Sequence, residues 1–226
     1  MELARFILKL LTFKMTKQEM LTFNNKHLIT GVAGTWIVGM GRYWDDPKAS
    51  LLQHLGLGSV IYIFCLAAFI WLILLPFKIN NWSYRIVLTF IALTSFPAIF
   101  YAIPVEQFYS IQTSNTINVW FLVIVALWRL CLLYYFLKHF TRLSDRAIMI
   151  VTLMPMCLII SVLTILNLQN AVFAVMGGLR NSTPHDASYA ILNLLTFLSV
   201  LFAIPLLIAY GLGIYYRHKE IKKKLT

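Results

Sequence analysis

Residues 118–137 read NVWFLVIVALWRLCLLYYFL, a run of twenty residues in which Arg129 is the single charged side chain. A helix of this length rises about 30 Å, which matches the hydrocarbon core of a bilayer. Lipid offers no hydrogen-bond partner to the backbone, so an apolar segment that crosses it must be helical or part of a closed barrel. The run therefore predicts a membrane-spanning α-helix.

Similar apolar stretches lie on both sides of this one. We predict further membrane segments at about 51–76, 84–103, 147–167 and 188–214. Residues 27–41 are also apolar, but they are fewer than the roughly 17 to 25 residues that a spanning helix needs. We therefore predict six membrane segments, the first short, with a re-entrant 27–41 segment in a five-span chain as the alternative.

The composition excludes a water-soluble globule. Of the 226 residues, 60% are hydrophobic and only 12% are charged, against roughly 25% in soluble domains. The sequence contains no linker, repeat or low-complexity tract. We predict a single all-α domain over residues 1–226, a polytopic transmembrane helix bundle.

Two short helices are predicted before the membrane, within residues 1–26. In the first, Glu2, Arg5 and Lys9 form a polar stripe beside apolar residues, which is typical of an amphipathic interfacial helix. Packing on the protein's own loops is the alternative. In the second, Thr16 and Glu19 form a capping-box pattern.

Proline positions predict where later helices begin and bend. Asp46 and Pro47 are typical of a helix start, and we expect one helix to run unbroken from there through segment 51–76. Kinks are expected at Pro97, Pro155 and Pro205, which lie inside apolar segments.

Basic residues predict the topology. Six crossings place fifteen Lys and Arg residues on one side of the membrane and three on the other, whereas five crossings give eight and ten. Because positive charge concentrates in cytoplasmic loops, six crossings with both termini cytoplasmic are predicted. Residues 215–226 are then a basic cytoplasmic tail, and a bacterial-type inner membrane is the expected location.

Two polar features could carry function. Arg129 lies near the middle of its segment, where a charge costs about 2.5 to 3.5 kcal/mol, so an anion site or a carboxylate partner is one explanation. Hydrogen bonds to helix carbonyls, or a side chain that reaches towards the interface, are the other. A second candidate is a polar cluster on the external side, formed by Arg42, Asp45, Asp46, His54, Glu106, Tyr109, His185 and Asp186. Some of these carboxylates could simply stabilise helix starts.

Gly31, Thr35 and Gly39 are spaced by four and form a small-residue face on segment 27–41. Such a face allows another helix to approach closely in the membrane. We predict that these residues are helix-packing positions.

No pattern for catalysis, cofactor binding or metal binding occurs, so we expect no enzyme activity, no cofactor and no metal site. The formal charge of +11 indicates anionic lipid headgroups rather than nucleic acid as partners. An assembly, scaffolding or lipid-handling role is the preferred hypothesis, with a membrane-protein partner or a second copy of the chain as a further partner. A small-solute transporter or channel that uses Arg129 is the main alternative, and an intramembrane enzyme is the third.

Overall fold

The structure is a computed structural model that describes residues 2–177, Leu179 and residues 187–225. It is 82% helical, and the described residues contain no strand. The α-helices are α1 (Glu2–Leu11), α2 (Lys17–Leu21), α3 (Asn25–Gly41), α4 (Leu51–His54), α5 (Leu57–Leu74), α6 (Tyr84–Leu93), α7 (Ile111–Thr141), α8 (Asp145–Ile165), α9 (Gln169–Gly177) and α10 (Ala187–Leu225). Short 3-10 helices cover Leu75–Phe77, Phe96–Ala102 and Val105–Gln107.

Five segments are long and apolar enough to cross a membrane. They are Leu57–Phe77, Tyr84–Gln107, Ile111–Thr141, Asp145–Ile165 and Ser188–Lys223. The predicted all-α, multi-span bundle is therefore confirmed. Helix α3 has 17 residues and rises about 25 Å, so the sixth crossing stays a prediction.

Helix α3 runs beside the Tyr84–Gln107 segment and parallel to it. Gly31 lies against Ala92 near one end of the bundle, and Gly41 lies against Ala102 near the other. Helix α3 therefore runs alongside this segment between these two contacts. We call the first end, which carries Lys17, the basic end, and the second, which carries Arg42, the opposite end.

The amphipathic helix α1 packs on the protein itself. Leu10, at its last turn, is fully buried, as is Met15 in the connection to α2. The Trp128 indole N–H donates to the Leu11 carbonyl at 3.0 Å, and the Tyr135 hydroxyl donates to the Met15 carbonyl at 2.9 Å. Helix α1 therefore contacts α7 and, through Phe6, the connection before α3, while its position at the membrane interface stays a prediction.

An aromatic core lies near the basic end. Phe90 of α6 stacks on Phe136 of α7 with ring centroids 4.1 Å apart, and Phe136 stacks on Phe140 at 5.3 Å. Trp82, in the preceding loop, packs against both α7 rings. These contacts fix the ends of α6 and α7 beside each other.

The prediction of one unbroken helix from Pro47 through segment 51–76 is wrong. The Asp46 side chain accepts from the Lys48 N–H at 3.0 Å and forms a turn, and helix α4 starts only at Leu51. Gly56 then adopts a left-handed φ of +64° and separates α4 from α5. A Cβ on Gly56 would lie 2.5 Å from the Met40 nitrogen. Both the left-handed φ and the close contact with α3 therefore require glycine at this position.

Other boundaries also differ from the expectations. The central segment extends to 31 residues, because polar residues continue the helix on both sides of the apolar run. Residues 169–177, between the predicted segments 147–167 and 188–214, form α9. The predicted basic tail continues α10 as a helix to Leu225. At Pro97 the α-helical hydrogen bonding is lost and a 3-10 helix follows, whereas α8 and α10 continue through their prolines.

Candidate functional site

A cavity of about 530 Å³ lies at the basic end, which we call the basic cavity. It is situated where the spans Leu57–Phe77 and Ile111–Thr141 end, beside α2 and α10. Four of its lining side chains are cationic. The lining residues are Lys17, Lys78, Ile79, Asn80, Asn81, Phe140, Thr141, Arg142 and Arg217.

Two of the cations are held in place by the ends of neighbouring helices. The Lys17 ammonium donates to the Phe140 carbonyl at 2.7 Å and lies 5.2 Å from the centre of the Phe140 ring. The capping box of Thr16 and Glu19 starts the helix that carries Lys17, as predicted. On α10, the Arg217 Nε donates to the Phe77 carbonyl at 3.5 Å. These carbonyls belong to the last residues of two spans, where backbone acceptors are free for side chains.

The other two cations follow directly after those spans. Lys78 has a φ of +49° and Arg142 a φ of +56°, so both residues end a helix in the left-handed conformation. Such a residue reverses the chain within one position. Both residues therefore lie at the level where the spans end.

The charge of the basic cavity is unbalanced. No Asp or Glu is among its lining residues. At the rim, the Glu220 carboxylate lies 3.6 Å from the Arg217 guanidinium. The nearby Glu19 carboxylate forms an ion pair with the Lys9 ammonium at 2.7 Å. Asn80, Asn81 and Thr141 add neutral polar groups to the wall. Among the described lining residues, this arrangement supplies N–H donors and positive charge but no carboxylate or imidazole, which suits the binding of an anion.

Part of the predicted external cluster comes together at the opposite end. Arg42, Asp45 and Glu106 line one small cavity of about 10 Å³, together with Tyr101 and Asn118. The Asn118 amide donates to Glu106 Oε1 at 2.8 Å, and the Arg42 guanidinium lies 4.3 Å from the centre of the Tyr101 ring. This space suffices for about one water molecule. The cluster is compact, and cations and carboxylates occur together in it.

Tyr43 connects this cluster to α9. Its hydroxyl donates to the Val175 carbonyl, and burial raises the pKa of the Tyr43 hydroxyl above its ordinary value. Helix α9 therefore lies over the opposite end.

The remaining members of the predicted cluster lie elsewhere. Asp46 forms its turn, while His54 and Tyr109 do not line the small cavity. His185 and Asp186 lie outside the described residues. Across residues 2–177, Leu179 and 187–225, no group of three or more His, Cys, Asp or Glu side chains is placed to hold a metal ion.

Arg129 is partly buried and lines neither of these two cavities. Its guanidinium carbon lies 5.9 Å from the centre of the Tyr62 ring, at the limit of a cation–π contact. Within the described part of the chain, Arg129 Nη2 is buried without a hydrogen-bond partner. Neither a carboxylate partner nor a helix carbonyl is seen at this nitrogen.

The small residues of α3 lie at close helix contacts. Cβ atoms added to Gly31 and Gly39 would lie 2.8 Å from Ala92 Cβ and 2.7 Å from Ser59 Oγ, respectively. The Thr35 hydroxyl donates to the Gly31 carbonyl at 2.8 Å and lies 3.3 Å from the Ala92 carbonyl. Helix α3 therefore packs with α5 and α6 at short distance.

Sequence reasoning missed the basic cavity. It treated Lys17, Lys78, Arg142 and Arg217 only as charges that set topology. The position of Lys78 and Arg142 at the ends of apolar segments was the available signal, but it does not reveal that four separate segments converge.

Comparisons with known proteins do not extend this description. A scan against protein-family models, a search of curated proteins and a search of solved structures each found no match. Fold and site are therefore argued from the residues of this chain.

Proposed function

We propose that this is a multi-pass inner-membrane protein with a lipid-handling role, which binds anionic phospholipid headgroups in the basic cavity. The observation that carries the proposal is the cavity itself, with four cationic side chains and no acidic residue in its lining. Phosphate oxygens are the natural partners of Arg and Lys donors, and the ends of membrane spans are where lipid phosphates lie.

The orientation follows from the same charges. Lys17 and Arg217 line one cavity, although they are 200 residues apart in the sequence, which supports the proposal that both termini lie on the same side of the membrane. Positive charge favours the cytoplasmic side, so we place the basic end in the cytoplasm. The partner is then the anionic lipid of the inner leaflet.

Transport and catalysis have less support. A transporter that used Arg129 would need a polar path to this residue, and Arg129 lines neither of the two cavities described above. For catalysis, the described lining residues of the basic cavity include no carboxylate, imidazole or thiol that could act beside its two lysines. We therefore propose a binding role without chemistry.

The test is lipid binding by the purified full-length protein. Phosphatidylglycerol and phosphatidylcholine with identical acyl chains are titrated into detergent-solubilised protein, and bound lipid is counted by native mass spectrometry. We expect at least tenfold tighter binding of phosphatidylglycerol, and loss of this preference in the double variant Arg142→Gln/Arg217→Gln.

The matched control is Arg146→Gln. Arg146 is an exposed arginine in the first turn of α8, four residues after Arg142, and does not line the basic cavity. It should leave the preference within twofold of the unmodified protein. Equal binding of both lipids by the unmodified protein, or an equal loss in the control, would refute the proposal.

A further inference from the structure

We infer that the basic cavity is selective for phosphate groups that carry two or more negative charges, a phosphomonoester or diphosphate at the end of a lipid tail, over a monoanionic phosphodiester. The inference rests on the proposed function and deepens it by naming the class of headgroup. Three features of the cavity support it: its charge, its preorganised donors and its size.

The charge balance favours a multivalent anion. Four cations line the cavity, and Glu220 is in contact with only one of them, Arg217, at 3.6 Å. A single phosphodiester would leave most of this positive charge uncompensated. A phosphomonoester carries close to two negative charges at neutral pH, and a diphosphate carries more. Each added charge gains Coulomb energy from cations that the fold already holds together.

The donors come from four segments, and two of them are held by hydrogen bonds to the protein before any ligand arrives. Lys17 is fixed by the Phe140 carbonyl and Arg217 by the Phe77 carbonyl, while Lys78 and Arg142 are placed by helix ends. Guanidinium groups bind two phosphate oxygens at once, whereas ammonium groups act as point charges. Donors on several sides of one cavity suit a group with many terminal oxygens. A phosphodiester has two such oxygens, a phosphomonoester three and a diphosphate more.

The size of the cavity leaves room for such a headgroup. Its volume of about 530 Å³ falls within the roughly 300 to 1,000 Å³ of sites that enclose whole small molecules. Surface lysines that attract a bilayer in general need no cavity at all. Ile79 and Phe140 add apolar wall beside the span ends, which suits the first carbons of a lipid tail.

The experiment compares lipids that differ only in headgroup charge. Phosphatidate, phosphatidylglycerol and phosphatidylcholine with identical chains are titrated into the full-length protein at pH 8. We expect phosphatidate to bind at least tenfold more tightly than phosphatidylglycerol. At pH 5, where the phosphomonoester loses its second charge, this preference should fall to less than threefold.

Variants assign the preference to the cavity. Lys17→Gln and Arg217→Gln should each reduce the preference for phosphatidate at least threefold. Lys14→Gln removes an exposed cation from the same segment and should leave the preference unchanged, since Lys14 does not line the cavity. Inorganic pyrophosphate, added alone, tests whether the tail contributes.

The outcomes separate this inference from the proposed function. Equal affinity for phosphatidate and phosphatidylglycerol, both above phosphatidylcholine, overturns the inference and leaves anionic-lipid binding intact. Equal affinity for all three lipids overturns both. If pyrophosphate binds as tightly as phosphatidate, the preference for multivalent phosphate stands, but the proposal that the phosphate belongs to a lipid is overturned.

Discussion

The two ends of the bundle both gather polar residues, but they do so in different ways. At the opposite end, Arg42 shares a space of about 10 Å³ with two carboxylates and the amide of Asn118. At the basic end, four cations surround about 530 Å³, and no acidic residue is in the lining. The first arrangement contains both signs of charge and has no room for a ligand, whereas the second has one sign of charge and ample room.

This difference distinguishes polar groups that stabilise the fold from polar groups that are available to bind a ligand. Buried charges stabilise a fold when partners of opposite charge and hydrogen bonds compensate them. Cations that face one another across a cavity repel. An anion that binds between them is therefore stabilised by Coulomb attraction that no group of the protein supplies. Variants at the opposite end should therefore change stability without changing lipid binding.

The largest effect is expected from Gly56→Ala, which disrupts the close contact between Gly56 and α3 near the opposite end. A Cβ there would lie 2.5 Å from the Met40 nitrogen and 2.8 Å from the Trp36 carbonyl oxygen, and the φ of +64° disfavours side chains. Left-handed strain and overpacking together predict a loss of about 3 kcal/mol in the free energy of unfolding. The measurement is unfolding in mild detergent, followed by intrinsic fluorescence.

Gly58→Ala is the matched control for this variant. Gly58 lies two residues further along in α5, and an added Cβ would meet nothing within 4 Å. Alanine is the better helix former, so this change should stabilise by about 0.5 to 1 kcal/mol. If both variants lost stability equally, the close contact between Gly56 and α3 would not explain the loss of unfolding free energy in Gly56→Ala.

The helical elements could be predicted from the sequence because lipid imposes a simple rule. Apolar runs of sufficient length must be helical, and capping at Thr16 is a local pattern of four residues. The break at Gly56 depends instead on the backbone of α3, which no local pattern reveals. The same holds for α1, whose amphipathic face fits a lipid surface and the side of α7 equally well.

The candidate site was only partly predictable for the same reason. Arg42, Asp45 and Glu106 could be grouped from the sequence, because the six-crossing topology predicts all three on one side of the membrane, and they line one small cavity. The basic cavity depends on how tilted helices converge at their ends. Lys17 and Arg217, from opposite ends of the chain, meet there through contacts that sequence spacing does not encode.

A smaller loss is expected from Asn118→Leu, which tests whether the opposite end is a structural cluster. The change removes the 2.8 Å hydrogen bond to Glu106 from a side chain that is 7% exposed. Loss of a bond to a buried charged group predicts destabilisation by about 2 kcal/mol. Binding of phosphatidylglycerol at the basic cavity should stay within twofold of the unmodified protein.

Thr116→Val provides the comparison for that variant. The Thr116 hydroxyl donates only to the Gln112 carbonyl within the same helix, so its removal should change stability by less than about 0.5 kcal/mol. A loss of lipid binding in Asn118→Leu would contradict the separation of the two ends.

Arg129→Leu should stabilise the protein modestly, by about 1 kcal/mol. The guanidinium is partly buried, its Nη2 has no hydrogen-bond partner among the described residues, and its contact with the Tyr62 ring is distant, so its removal should relieve the cost of burying a charge. The thermal unfolding temperature in detergent is the measurement, with Arg129→Lys as the variant that keeps the charge. A destabilisation by Leu that Lys rescues would show that the charge has a partner and would extend the ligand-binding region beyond the basic end.

The smallest effect concerns the helix pair that presents Lys17 to the basic cavity. A hydrogen bond from Lys9, together with bonds from Thr16, lowers the pKa of Glu19 from an ordinary 4.5 to about 2. A carboxyl whose pKa is depressed by folding contributes stability above its unfolded pKa, and that stability is lost as the pH falls from about 4.5 towards 2. Because the pair with Lys9 is exposed, the contribution is about 0.5 kcal/mol.

Glu19→Gln should remove this acid dependence, since an amide does not titrate in the range. At pH 7 the variant should be less stable by that amount, and below about pH 2 the two proteins should unfold together. Lipid binding through Lys17 should weaken less than twofold, because the bond to the Phe140 carbonyl and the burial of Met20 still hold α2 in place. A larger loss would mean that the position of Lys17 depends on the Lys9–Glu19 pair, and that the cavity is less preorganised than the fixed helix ends imply.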